Sequence, residues 1–186
     1  MSQPTTTTRK GRAPRSTFPA QRLQDEASNV RMNKIIPAEL DHVEELASQV
    51  RKADIDEIAA ATGMNPITAL LMSFSLSTEV YTWMCGDEVA AVFGVAPDPD
   101  HFGVGCPWMI GSDLFVRERT FVLKHSRKII EHFNQRYPLL ENYVHPSNTA
   151  SVRWLRWCGF QFDEAEPYGP RGDLFIPFFR ELEQCA

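Results

Sequence analysis

Asn148-Thr-Ala-Ser-Val-Arg-Trp-Leu-Arg-Trp-Cys-Gly159-Phe160 is the stretch on which the reading of this chain turns. It reads as a loop asparagine, a short helix over Thr149 to Trp157, a glycine stop, and a strand returning through Phe160. Immediately upstream, Glu141-Asn-Tyr-Val-His145 is strand-like. Further back, Phe121, Val122, His125, Ile129 and Phe133 recur at helical spacing, which predicts a long amphipathic helix over 117–137 stopped by Pro138. Before that helix, Val80–Met84 and Val89–Val95 predict a hairpin around Gly86-Asp87, and Val104–Ile110 a third antiparallel strand. Lys34–Ile36 opens the order as a short strand. Leu40, Val43, Leu46, Ala47 and Val50 then mark one helical region ending at Gly63, and Asn65-Pro66 starts a second helix toward Ser77. A hairpin from Phe160 through Pro170-Arg-Gly-Asp173 to Phe179 closes the chain. Two helices are therefore expected between the first strand and the sheet proper, within an α/β (α+β) domain.

The chain has 186 residues, 43% hydrophobic and 23% charged, which suits a single globular domain and excludes a fibrous repeat. Charge divides it at residue 31. Residues 1–31 carry a net +4 and almost no large apolar side chains, whereas 32–186 carry −9. The first segment cannot bury enough surface to offset its ordering entropy, so a disordered basic tail is expected over 1–31 and a folded domain over 32–186. The tail reads either as a basic arm for nucleic acid or an acidic partner, or as an extension ahead of an internal start at Met32. The longest apolar stretch, from Ile67 to Leu76, is about half of what a membrane span needs, so no membrane partner is expected. No signal peptide is recognisable, and synthesis in the cytoplasm follows. Cys85, Cys106, Cys158 and Cys185 are far apart, which argues against a disulfide framework or a zinc knuckle.

The succession of elements, with Asn148 and the Gly159-Phe160 ending, resembles the GNAT superfamily of acyl-CoA N-acyltransferases over about 150 residues. The resemblance implies a mixed, mainly antiparallel central sheet flanked by helices. The body is also similar to a GNAT-like family of short-tailed bacteriophages, described as internal virion or morphogenesis proteins. Trp108-Met-Ile-Gly-Ser112-Asp113, the basic helix Lys124 to Arg136, Tyr137-Pro-Leu-Leu-Glu-Asn-Tyr143-Val144, Asn148-Thr149 and Gly159-Phe160 carry that likeness. It implies phage structural proteins as partners and the host cytoplasm or the virion as location; nucleic acid is the partner that the basic tail's charge suggests.

Catalysis by such a fold needs the coenzyme pyrophosphate held, an amine deprotonated and a thiolate protonated. GNAT enzymes usually hold the pyrophosphate with Q/R-x-x-G-x-G/A, where glycines let backbone N–H groups approach the anion. Here the matching stretch, Ile110 to Thr120, has one early glycine and adds Asp113, leaving Arg117 and Arg119 as substitutes. Asn148 is the expected neighbour of the coenzyme arm, with acetyl-CoA as the implied cofactor. Leu155 stands at the seventh position after Asn148, where many members place a tyrosine acid. Glu141 and His145 flank Tyr143 at two-residue steps, share one face of the strand, and are the candidate bases; the alternative is a solvent-facing strand end. His125 and His132 lack a third ligand at usable spacing, so no metal is expected. Two functions stand: a virion assembly or internal virion protein without turnover, and an acyl-CoA-dependent N-acetyltransferase acting on a host or phage amine.

Overall fold

The computed structural model of the protein describes residues 32–182; the basic segment 1–31 and Cys185 lie outside them. The elements are β1 (Asn33–Pro37), α1 (Leu40–Ala47), α2 (Lys52–Thr62), α3 (Pro66–Leu76), β2 (Glu79–Cys85), β3 (Glu88–Pro97), β4 (Val104–Gly111), α4 (Asp113–Arg117), α5 (Arg119–Arg136), β5 (Leu139–Val144), α6 (Thr149–Trp157), β6 (Gln161–Phe162), β7 (Glu166–Tyr168) and β8 (Asp173–Glu181). Strands follow the order β1-β2-β3-β4-β5-β8-β6, with β7 paired to β8. All neighbours are antiparallel except β4 and β5. This is the mixed, mainly antiparallel sheet that the resemblance implies.

Two apolar layers cover the two faces of the sheet. Val43, Leu46, Ile58 and Leu70 from α1, α2 and α3 pack on Met84, Val89, Val92 and Ile110. Val122, Ile130 and Phe133 of α5 and Val152 and Leu155 of α6 pack on the opposite side with Trp83, Phe93 and Leu140. β3 serves both layers: Ala91, Phe93 and Val95 enter one cluster and Val92 the other, as a strand covered on both faces must.

Several expectations hold at the residue level. Gly86 takes φ +65° in the β2–β3 turn. Asn65 accepts the Thr68 amide ahead of Pro66 at the first turn of α3. Asn148 caps α6, and Gly159 follows it with φ +91°.

Two expectations are corrected. The single helical region expected between Leu40 and Gly63 is two helices, so three precede β2. The chain leaves the helix at Ser48 because Val50 makes a bridge to Ser112 and the Arg51 amide donates to the Gly111 carbonyl at 3.0 Å. A tertiary contact overrides local helical preference there. The helix expected over 117–137 is likewise broken at Glu118, which separates α4 from α5. Its buried stripe is Val122, Ser126, Ile130, Phe133 and Asn134, about one position round from the expected one, leaving Phe121 and Ile129 at the margin.

Candidate functional site

The site follows from how β4 and β5 part. They pair in parallel register only at Val104–Leu139 and Gly105–Leu140. Two residues further on, Pro107 has no N–H to offer, and its carbonyl is held instead by the Asn142 side chain at 3.0 Å. A side-chain strut replaces the ladder, and the strands diverge. A cavity of about 670 Å³ opens at this divergence, with Trp108, Asn142 and Tyr143 at the parting strands and Glu57, Arg119 and Trp154 contributed by helices or the segments beside them.

A polar network forms one wall. Arg51 donates through Nε and Nη2 to both oxygens of Asp54, each at 2.7 Å, and through Nη2 to Ser151 Oγ at 3.0 Å. Asp54 Oδ2 also accepts the Gly111 amide at 2.9 Å. Asn148 is 3% exposed; its Nδ2 donates to Asp54 Oδ1 and Glu57 Oε2, while its Oδ1 accepts from the Ser151 amide. Glu57 Oε1 accepts the His145 amide at 2.8 Å. Burial raises the pKa of Glu57, Asp54 adds to the rise, and the Asn148 and His145 hydrogen bonds and Arg51 oppose it. Glu57 is thus a carboxylate beside a cavity whose proton affinity is increased.

The residues singled out from sequence are dispersed over this landscape. Asn148 does not line the cavity; its side chain is buried behind the network and committed to α6 and the two α2 carboxylates. The His145 ring stands edge-on to Phe175, centroids 5.0 Å apart, with Nδ1 at 2.7 Å from Ser147 Oγ; its backbone, through Glu57, is what joins the network. Glu141 projects to a different place, beside Asp98 and His101. Tyr143, between them, stacks on Tyr168 at 4.1 Å and donates to Glu166 Oε1 at 2.8 Å. That bond pushes the Tyr143 phenol up to about 12, which makes it a weaker acid than an ordinary tyrosine. Arg117 and Arg119 are exposed, and of the two only Arg119 lines the cavity. Arg51, Asp54 and Glu57 were not singled out from sequence. The only signal was their i, i+3, i+6 spacing along α2, which also describes a solvated helix face.

A coenzyme pyrophosphate would meet the end of β4 and the segment that follows it. The Gly111 amide is taken by Asp54, and the Ser112 amide donates to the Ala90 carbonyl at 2.9 Å. Phe115 folds back over Gly111 so closely that a Cβ there would meet its side chain at 3.1 Å. Glu118, at the amino end of α5, brings a carboxylate held by Asn33 Nδ2 at 3.1 Å. The Gly111 and Ser112 amides are therefore not open to an anion, and Asp113 and Glu118 add negative charge to a segment in which Arg117 and Arg119 supply the positive charge.

Comparison of the whole structure places the fold among the GNAT acetyltransferases. An N-acetyltransferase from Staphylococcus aureus superposes with TM-score 0.61 at 12% identity, covering 82% of this chain and 99% of that one. A Bacillus subtilis acetyltransferase in complex with CoA gives 0.54 at 14% identity over 82% and 100%. A GNAT-family acetyltransferase from Streptococcus pneumoniae gives 0.56 at 12% identity over the same shares. No family model matches the sequence, and no curated protein matches it by sequence. The protein has the GNAT fold.

Proposed function

We propose that this chain uses the GNAT fold as a binding scaffold in the assembly of bacteriophage particles, without turnover of acyl-CoA. The observation that supports the absence of turnover is the occupation of the Gly111 and Ser112 amides by Asp54 and Ala90, which removes the first two backbone donors at the end of β4 from anion binding. The phage setting rests on the sequence resemblance of residues 108–160. Calorimetric titration of the full chain with acetyl-CoA, followed by thiol-release assays over a panel of amines, tests the first part. No saturable binding is expected; micromolar binding with amine-dependent thiol release overturns it. Mass spectrometry of purified particles and precursor capsids tests the second part, with the chain expected among their proteins.

A second reading, an acyl-CoA-dependent N-acetyltransferase, is favoured by one observation. Glu57 lines the cavity with a raised pKa, the property wanted of a group that accepts a proton from an amine near neutral pH. In that reading Arg119 and Arg117 meet the coenzyme phosphates, Asn148 adjoins its arm, and Glu57 takes the role that the sequence assigned to Glu141 or His145. An Asp54→Ala variant that acquires coenzyme binding would favour the first reading, since it would show the seat to be blocked in the parent.

A further inference from the structure

We propose that Asp98, His101, Glu141 and Cys106 form a zinc(II) site that clamps the β3–β4 turn to β5 at the root of the cavity. One ligand atom each from Asp98, His101 and Glu141 lies within 4.8 Å of the others. These residues come from two separate parts of the chain, the turn after β3 and the middle of β5. Their meeting is set by strand register: Gly105 pairs with Leu140, so Cys106 and Glu141 are the next neighbours across β4 and β5. Ala96 pairs with Cys106, which brings Asp98 to the same end of the sheet.

The donor chemistry selects the metal. Two carboxylates, an imidazole and a thiol make a mixed O, N and S set, which suits zinc and not calcium or magnesium, whose ligands are oxygens. Bond lengths of about 2.0 Å to oxygen and about 2.3 Å to sulfur place tetrahedral ligands roughly 3.5 Å apart. Cys106 Sγ donates to Asp98 Oδ2 at 3.8 Å and stands outside the 4.8 Å group of the other three, so it must turn in to complete a tetrahedron. Asp98 is already oriented: its Oδ1 accepts the Asp100 and His101 amides, each at 2.8 Å, which leaves Oδ2 for a ligand. His101 Nδ1 lies 3.0 Å from the same Oδ1, and its ring is the most exposed member, so it is the ligand that moves inward. Among the described residues, no lysine or arginine forms an ion pair with Asp98 or Glu141, and the His101 imidazole is the side chain that meets both carboxylates.

The consequence is mechanical. β4 and β5 are joined by two register pairs, and a metal bridging the next position would fix the angle at which they part. That holds whether the cavity serves assembly or transfer.

The test is titration of metal-stripped full-length protein with Zn(II) by calorimetry and with Co(II) by absorption. One equivalent of Zn(II) is expected to bind, with Asp98→Asn and His101→Ala each weakening it at least tenfold. Co(II) is expected to give a thiolate charge-transfer band that Cys106→Ser removes. Absence of saturable binding, binding unchanged in both variants, or loss of binding on Cys185→Ser alone would overturn the site. A bound Co(II) without a thiolate band would overturn Cys106 as fourth ligand. Because His101 is exposed and the readout is metal affinity, failure here is distinguishable from failure of either functional reading.

Discussion

Asp54 Oδ2 accepts the Gly111 amide hydrogen at 2.9 Å, so a side chain of α2 occupies the backbone donor that opens the loop after β4. The same carboxylate makes a two-point pair with Arg51, and the two side chains are only 6% and 10% exposed. Asp54→Ala leaves a guanidinium without its partner in a poorly solvated place and a buried amide without an acceptor. A loss of about 3–5 kcal/mol is expected, read from urea unfolding. Asp54→Asn keeps an acceptor for Gly111 but not the charge, and should fall between Asp54→Ala and the parent.

The parts of the fold that were legible in the sequence are those specified locally. Asn148 and Gly159 delimit α6, Asn65-Pro66 opens α3, and Gly86 turns β2 into β3, each by a conformational preference of one or two residues. The break at Ser48 was not legible, because it is caused by Val50 meeting Ser112, a residue 62 positions away. The site was less legible still. Asn148 was singled out for the coenzyme, yet its hydrogen bonds to Asp54 and Glu57 span more than ninety residues. Asp98 and Glu141 likewise meet only because β4 and β5 pair in one register.

The Glu57 carboxyl gives a pH signature. Its pKa is raised on folding from 4.5, so between that value and the raised one the folded state holds more protons than the unfolded. Stability from this group is therefore present at low pH and declines as pH rises through the window. Glu57→Gln removes the titration. The advantage of the parent over the variant in urea unfolding should shrink as pH rises above 4.5; a difference that is flat or grows with pH contradicts the assignment.

Gly105 tests the root of the divergence. A Cβ at this position would lie 2.6 Å from Tyr137 Cγ and 2.9 Å from its Cβ, and the Tyr137 ring is itself buried between the end of α5 and the sheet. The ring cannot retreat without breaking the contact of its hydroxyl with Thr78 Oγ1 at 3.0 Å. Gly105→Ala should cost about 1–3 kcal/mol by overpacking. Gly86→Ala, where no atom lies within 4 Å but φ is +65°, provides a comparison in which only backbone strain operates.

Cys158 tests whether the thiol beside the glycine stop is core or reagent. It is 3% exposed, and burial pushes its pKa up to about 12 against the opposing pull of Arg127 and Arg180. Alkylation requires the thiolate, so at mildly alkaline pH the native thiol should react at least about a hundredfold more slowly than in urea. Peptide mapping by mass spectrometry after timed iodoacetamide treatment reads this residue separately from the other cysteines. Cys158→Ser buries a hydroxyl at the same volume, so it should destabilise more than Cys158→Ala if the site offers no hydrogen-bond partner. Rapid native labelling, or a serine variant as stable as the parent, would place the sulfur in a polar setting and not in the core.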